Sequence, residues 1–188
     1  LYNRVALYED DFWYDLGDFK AVKCGVGQWQ IVDDVPVLFK SQQHQKTQDL
    51  PASAGGDLMK FFDHVSIKDS DQRLLFAVWL VAAFVPDIPH PVLVLFGEKG
   101  ASKSTTLRFA RSVIDPSRTG LLSLPSKEEL IQQLSHNYAP CYDNITRLSG
   151  EVSDVLSKAV TGDGGSKRCL FTNDEDFLNL SLSKGFPP

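Results

Sequence analysis

Short apolar runs alternate with turn residues over positions 1–40 of the chain. The runs are RVALY, DFWYDL, FKAVKC, GQWQIV and PVLF, and the segments between them are rich in Gly and Asp. Runs of this length with aromatic and β-branched residues are typical of a meander of strands, so a small strand-rich segment is predicted here. Its aromatic residues are expected to form a little core rather than to stack on nucleic-acid bases. They include Phe12, Trp13, Tyr14 and Trp29.

The next segment is polar. Residues 41–56, SQQHQKTQDLPASAGG, contain few apolar side chains and are predicted to be a linker. Residues 57–65 are predicted to form a short amphipathic helix, and Asp69 and Ser70 can cap a second helix. The body of this second helix, LLFAVWLVAAFV, is apolar on every side. Because a helix with no polar face is normally buried, we expect it to lie against the main sheet.

Strands and helices alternate in the remainder of the chain. The pattern predicts strands at 92–96, 121–124 and 138–143 and helices at 104–114, 126–135 and 151–160. Ser126 and Glu129 form a capping box at the start of the middle helix. Alternation of this kind implies an α/β fold, with a mostly parallel sheet flanked by helices. We therefore predict one larger domain over residues 57–188.

The stretch VLVLFGEKGASKST, residues 92–105, joins a predicted strand to a predicted helix through a glycine-containing loop. Loops of the pattern G-x-x-x-x-G-K-[ST] wrap backbone amides around the phosphates of a nucleotide, aided by the positive end of the following helix. Lys103 would contact the β- and γ-phosphates, and Ser104 would bind Mg²⁺. The predicted ATP-binding residues are Gly97, Glu98, Lys99, Gly100, Ala101, Ser102, Lys103, Ser104 and Thr105.

Ser102 occupies the position before the lysine, where this pattern has glycine. If the backbone there is left-handed, a residue other than glycine costs about 1–2 kcal/mol, which the loop can tolerate. Asp143 follows a predicted strand forty residues after Lys103, a position from which its carboxylate can share Mg²⁺ with Ser104. Asn144 stands where many ATPases carry a glutamate that activates water, so no base for hydrolysis is evident. Lys103 and Asp143 are the predicted catalytic residues.

Composition narrows the class of protein without naming a function. The net charge of −5 argues against a generally basic nucleic-acid-binding surface, so any contact with DNA has to be local. Three cysteines without a C-x-x-C pair predict neither a zinc site nor a disulfide framework, and they favour a reducing cytoplasm. The longest apolar run, residues 74–85, falls short of the ~20 residues that span a bilayer, so no membrane span is expected.

Two stretches of the chain resemble a known family. The sequences PVLVLFGEKGASKSTTLRFARSVIDPS and YDNITRLSGEVSDVLSKAVTGDGGSKRCLFTNDED are similar to the ATPase, or helicase, part of primase–helicase proteins from mobile elements and phages. These proteins are related to superfamily-three and AAA+ P-loop ATPases. In this family a small residue other than glycine often precedes the loop lysine, and the Mg²⁺ aspartate is followed by asparagine, as at Asp143 and Asn144. The strand-rich start and the apolar helix have counterparts too, so the resemblance covers nearly the whole chain.

The resemblance implies an ATP- and Mg²⁺-dependent motor that unwinds DNA during replication as a homo-oligomeric ring. Single-stranded or forked DNA would be its partner. Lys167 and Arg168 would contact DNA or a neighbouring subunit's nucleotide from a hairpin that lines the channel, the alternative being a surface hairpin with solvated charges. The family's γ-phosphate-sensing asparagine and its arginine for the neighbouring site are expected after residue 188. The domain is therefore expected to be truncated, and robust ATP turnover is expected to need a longer chain.

Two other functions fit the same residues. A non-hydrolysing nucleotide-binding or assembly module is favoured by Asn144 and by the missing catalytic strand. A P-loop small-molecule kinase would need a lid with clustered arginines, whereas the arginines after the loop are sparse. Phosphate release, measured with and without single-stranded DNA or a small acceptor, separates the three.

Overall fold

The computed structural model describes residues 1–161 and, for the backbone alone, two further strands, β7 (Gly164–Arg168) and β8 (Glu175–Asn179). The chain begins with an antiparallel sheet whose strands lie in sequence order. They are β1 (Val5–Tyr8), β2 (Asp11–Gly17), β3 (Lys20–Gly25) and β4 (Gln28–Val32). The predicted meander is thus confirmed for its first four runs, while the fifth contributes only an isolated bridge between Tyr2 and Phe39.

Two hairpin turns of this sheet consist of two residues with positive φ. Glu9 and Asp10 have φ of 51° and 64°, and Asp18 and Phe19 have φ of 51° and 62°. Two-residue turns of this kind match the right-handed twist of the strands that they join. They set the register that pairs Tyr8 with Asp11. Local turn geometry therefore accounts for the meander.

The aromatic residues of β2 face opposite sides of the sheet. Trp13 is buried with Ala6, Ala21 and Val37 on one side, whereas Tyr14 is buried in the main core on the other. The core interpretation is confirmed for these two residues. Phe12 and Trp29 are more than a third exposed.

The helices lie close to their predicted positions. A 3₁₀ helix covers Leu58–Asp63, and four α-helices follow among the described residues: α1 (Ser70–Ala82), α2 (Lys103–Ile114), α3 (Lys127–His136) and α4 (Gly150–Thr161). Asp69 accepts hydrogen bonds from the amides of Asp71 and Gln72, as a capping residue does. Ser126 likewise accepts from the amide of Glu129. Within the part of the chain that the structure describes, no helix is both long and apolar enough to cross a lipid bilayer.

The prediction of a P-loop NTPase core with a mostly parallel sheet flanked by helices is wrong. Among the described strands, only β5 (Leu122–Ser123) and β6 (Tyr142–Asp143), of two residues each, pair in parallel. The isolated bridge between Tyr2 and Phe39 is also parallel but belongs to no strand. Residues 92–96 belong to no strand among the described residues. An apolar run favours an extended backbone, but a strand also needs a neighbour to pair with. Pro140 lacks the amide hydrogen that a ladder requires, which is consistent with a third strand reduced to its last two residues.

The expectation that α1 is buried on every side is also wrong. Phe76, Ala77 and Leu80 are buried, but four apolar side chains on the rest of the helix are more than half exposed. These are Leu74, Leu75, Val78 and Val81. The helix packs on one side only, because the large parallel sheet that would have covered its other side is not formed.

One core joins the antiparallel sheet to the helices. Its buried residues include Val5, Tyr14 and Leu16 from the sheet and Phe76, Leu80, Ala110 and Ile114 from α1 and α2. A second core lies between α3 and α4 and includes Leu130, Leu134, Val152, Val155 and Ala159. The polar segment 41–56 runs beside the end of α2, where the amide of Lys46 donates to the carbonyl of Pro116. The division at residues 40 and 56 stays a prediction.

Candidate functional site

The glycine-containing loop is held by backbone conformations that most residues avoid. Gly97 and Gly100 have φ of 148° and 89°, and Ser102 has φ of 56° and ψ of 21° directly before α2. A Cβ at Gly100 would meet no atom within 4 Å, so the need for glycine there comes from its positive φ and not from crowding. Ser102 makes no side-chain capping bond. The Ser102 side chain therefore accepts no hydrogen bond from the first backbone amides of α2, which leaves these amides able to donate to an anion.

Lys103, the first residue of α2, folds back over the loop. Its Nζ donates to the carbonyl oxygen of Gly97 at 2.8 Å and to that of Glu98 at 2.7 Å. The amide of Ala101 also donates to the Glu98 carbonyl, at 3.3 Å. These bonds close the loop around the ammonium group, which places a positive charge at its centre.

Ser104 and Asp143 meet although they are far apart in sequence. The hydroxyl of Ser104 donates to Oδ2 of Asp143 at 2.6 Å, and the amide of Asn144 donates to Oδ1 of the same carboxylate at 2.8 Å. The hydrogen bond from Ser104, followed by that from Asn144, lowers the pKa of Asp143 below its ordinary value. The carboxylate is therefore ionised at neutral pH, as a metal ligand has to be.

A cavity of about 370 Å³ opens in front of these groups. Its lining consists of the loop and the first turn of α2, residues 99–105, together with Asp143 and Asn144. Among the described residues that line the cavity, Asp143 is the single carboxylate. Gly97 and Glu98, also predicted to bind ATP, do not line this cavity; their carbonyl groups accept hydrogen bonds from Lys103.

The groups that line the cavity include oxygen ligands of the kind that Mg²⁺ takes beside a nucleoside triphosphate. Magnesium prefers oxygen ligands in an octahedron and is commonly held by one or two protein oxygens plus phosphate oxygens and water. Ser104 and Asp143 supply two such oxygens side by side. No cluster of three or more His, Cys, Asp or Glu side chains exists among the described residues. A metal here would therefore complete its coordination with phosphate oxygens and water.

The side chains of Lys167 and Arg168, predicted to contact DNA or a neighbouring subunit, lie outside the described residues. Their backbone lies on β7, where Lys167 pairs with Asp176 and Arg168 pairs with Glu175 of the antiparallel strand β8. The two strands pair antiparallel, and the residues that connect them lie outside the described part of the chain.

A buried polar cluster at the carboxyl end of α2 has no counterpart in any pattern of the sequence. Arg4 and Asp115 are both 1% exposed, and Nε of Arg4 donates to Oδ1 of Asp115 at 3.2 Å. The sequence predicts only that Asp115, which precedes Pro116, ends a helix. A pairing across 111 residues leaves no local pattern, so no sequence signal could have found it.

Residues 57–182, more than half of the 188 positions, match a family model of replication proteins from an integrative conjugative element, which is a mobile element. The chain therefore belongs to the family described as actinomycete integrative conjugative element replication protein, AICE_RepA. No curated protein and no solved structure matches the chain. The expected association with a mobile element and with DNA replication is thereby confirmed, whereas ATP binding and helicase or primase activity go beyond that description.

Proposed function

We propose that residues 97–105 bind the triphosphate of ATP and that Ser104 and Asp143 hold the accompanying Mg²⁺. The observation that carries this proposal is the 2.6 Å contact between the Ser104 hydroxyl and the Asp143 carboxylate at the mouth of the lysine-centred loop. A hydroxyl and an ionised carboxylate in contact at the start of a helix are the protein ligands that a phosphate-bound Mg²⁺ takes.

The lysine, the backbone amides of the loop and Asp143 have different roles in this proposal. Lys103, which now donates to the Gly97 and Glu98 carbonyls, would hold phosphate oxygens, and the amides of residues 100–105 would donate to the phosphates. Asp143 would hold the metal beside the Ser104 oxygen. The metal, when bound, would neutralise part of the phosphate charge.

In the replication protein, this site would drive a DNA motor. Membership of a mobile-element replication family supports a role in DNA replication. We propose that ATP binding and hydrolysis power unwinding of single-stranded or forked DNA by a homo-oligomeric ring, with Lys167 and Arg168 contacting DNA or a neighbouring subunit.

The decisive measurement is ATP affinity of the wild type and of Lys103→Ala, by calorimetry with Mg²⁺ present. Lys127 is the first residue of α3, as Lys103 is of α2, and it is exposed, so Lys127→Ala is a matched control. Loss of one charge-assisted contact to phosphate predicts an affinity at least about tenfold lower for Lys103→Ala alone. Equal affinity in all three proteins would remove the basis of the proposal.

A non-hydrolysing nucleotide-binding or assembly module is the second candidate. It is favoured by the cavity lining, which among the described residues holds Asp143 as its single carboxylate and Asn144 beside it. With Asp143 on the metal, no second carboxylate of the lining is free to activate water. Phosphate release that rises with single-stranded DNA supports the motor, whereas ATP binding without phosphate release under either condition supports the module.

A further inference from the structure

The carboxyl end of α2 is held by residues from the first part of the chain. Its last carbonyl groups accept hydrogen bonds from Tyr14 and Gln48: the Tyr14 hydroxyl donates to Ile114 at 3.0 Å, and Nε2 of Gln48 donates to Ser112 at 3.2 Å and Val113 at 2.7 Å. Helix carbonyls at this end have no partner within the helix, so each bond satisfies a group that would otherwise need water. The helix that carries Lys103 and Ser104 is thus anchored at its far end.

Arg4 and Asp115 form the centre of this anchor. Besides its contact with Asp115, the Arg4 guanidinium donates to the carbonyls of Asp15 at 3.2 Å, Lys46 at 3.1 Å and Pro116 at 3.3 Å. A planar guanidinium with five donors suits a set of partners in fixed directions. The group therefore ties the antiparallel sheet and the polar segment 41–56 to the residue that ends α2.

Asp115 also holds the segment that leads to Asp143. While Oδ1 faces Arg4, Oδ2 accepts from the amides of Tyr138 at 3.2 Å and Ala139 at 3.1 Å. A buried carboxylate can remain charged when its oxygens are satisfied in this way. This one side chain joins the end of α2 to residues 138–139, just before β6.

Side-chain hydrogen bonds thus link both ends of α2 to the segment 138–143. At the carboxyl end, which we call the lower end, Asp115 accepts from the amide of Tyr138. At the amino end, the upper end, Ser104 donates to Asp143. Residues 104 and 115 are separated by about 17 Å of helix at 1.5 Å per residue. Because a helix of this length is stiff, the position of its lower end sets the position of its upper end against β6.

We propose that Arg4 and Asp115 are positioning residues for the metal ligands: they set α2 against the segment 138–143 so that Ser104 and Asp143 stand in contact. The inference rests on the proposed function of the site. Arg4 lies outside residues 57–182, the range that matches the family, so the first part of the chain contributes to the site without touching it. Metal ligands have to be held within about 0.5 Å of their working geometry, which gives this anchor its function.

The test compares ATP affinity with Mg²⁺ and with EDTA, and the quantity of interest is the ratio of the two dissociation constants. Asp115→Asn keeps the size of the side chain but removes its charge and replaces one acceptor oxygen with a donor. We expect the Mg²⁺-dependent gain in affinity to fall at least about fivefold, with the affinity in EDTA within about twofold of wild type, because only the metal ligands lose their relative position. Arg118→Gln is the control, since it removes an exposed arginine three residues away.

The outcomes separate the two proposals. Two results with folded Asp115→Asn protein would overturn this inference alone. In the first, the protein keeps the full Mg²⁺-dependent gain in affinity. In the second, the affinities with Mg²⁺ and with EDTA fall in parallel, as they would for a merely structural role. If Asp115→Asn does not fold, Arg4→Lys, which keeps the positive charge but not the fork of donors, is judged by the same ratio. A wild type that binds no ATP overturns the proposed function and this inference with it.

Discussion

Replacing Arg4 by methionine is expected to destabilise the fold more than any comparable change in a surface ion pair. Methionine keeps a long unbranched side chain but removes the guanidinium. Asp115, 1% exposed, would then carry its charge in the core without a cation. The carbonyls of Asp15, Lys46 and Pro116 would also lose a donor.

The size of the effect follows from burial. Removing one partner of a buried, hydrogen-bonded ion pair costs about 3–5 kcal/mol. Lys20 and Asp33 form a pair of similar length, 3.3 Å against 3.2 Å, but their side chains are 46% and 81% exposed. An exposed pair of this kind contributes about 0–1 kcal/mol. Lys20→Met, on β3, is therefore a control that likewise replaces the cation of an ion pair by methionine.

Urea unfolding monitored by the fluorescence of the three tryptophans measures both variants. With an m-value of about 2 kcal/mol/M, Arg4→Met should lower the unfolding midpoint by about 2 M and Lys20→Met by less than about 0.5 M. Equal shifts for the two variants would refute the role assigned to the buried pair. Adding Asp115→Leu to Arg4→Met should not restore stability, because the amides of Tyr138 and Ala139 would then lack their acceptor.

Three further predictions concern the loop and the thiol of Cys141. Ser102→Gly should raise the free energy of unfolding by about 0.5–1 kcal/mol, measured by thermal unfolding, because the backbone of Ser102 is in the left-handed region. A loss of stability would contradict this prediction. Burial raises the pKa of Cys141 from 9.0 to about 11, so its alkylation rate, followed by mass spectrometry, should still be rising at pH 10; a plateau near pH 9 would be inconsistent with a buried thiol. Because the unfolded chain loses this proton first, the free energy of unfolding should fall as the pH rises from about 9 to about 11, and Cys141→Ser should reduce that fall.

Local signals in the sequence predicted much of the secondary structure. The two-residue turns at Glu9-Asp10 and Asp18-Phe19, the capping residues Asp69 and Ser126, and the loop before α2 each act within a few residues of chain. Such signals depend on backbone preferences and nearby hydrogen bonds, so they can be recognised in the sequence without knowledge of the fold.

The pairing of distant segments could not be predicted in the same way. The run at residues 92–96 has the composition of a strand, yet it pairs with no described strand, and the exposed side of α1 follows from the same missing sheet. A strand exists only where a neighbour supplies its hydrogen bonds, and composition does not say which neighbour is present.

The candidate site combines both kinds of information. From the sequence alone came the loop, its lysine and the expectation that Asp143 would stand near Ser104. The tertiary structure determined that the two side chains touch at 2.6 Å and that Arg4 and Asp115 anchor the elements that carry them. The physical reason is distance along the chain: a hydrogen bond across 39 residues and an ion pair across 111 depend on packing that no stretch of sequence contains.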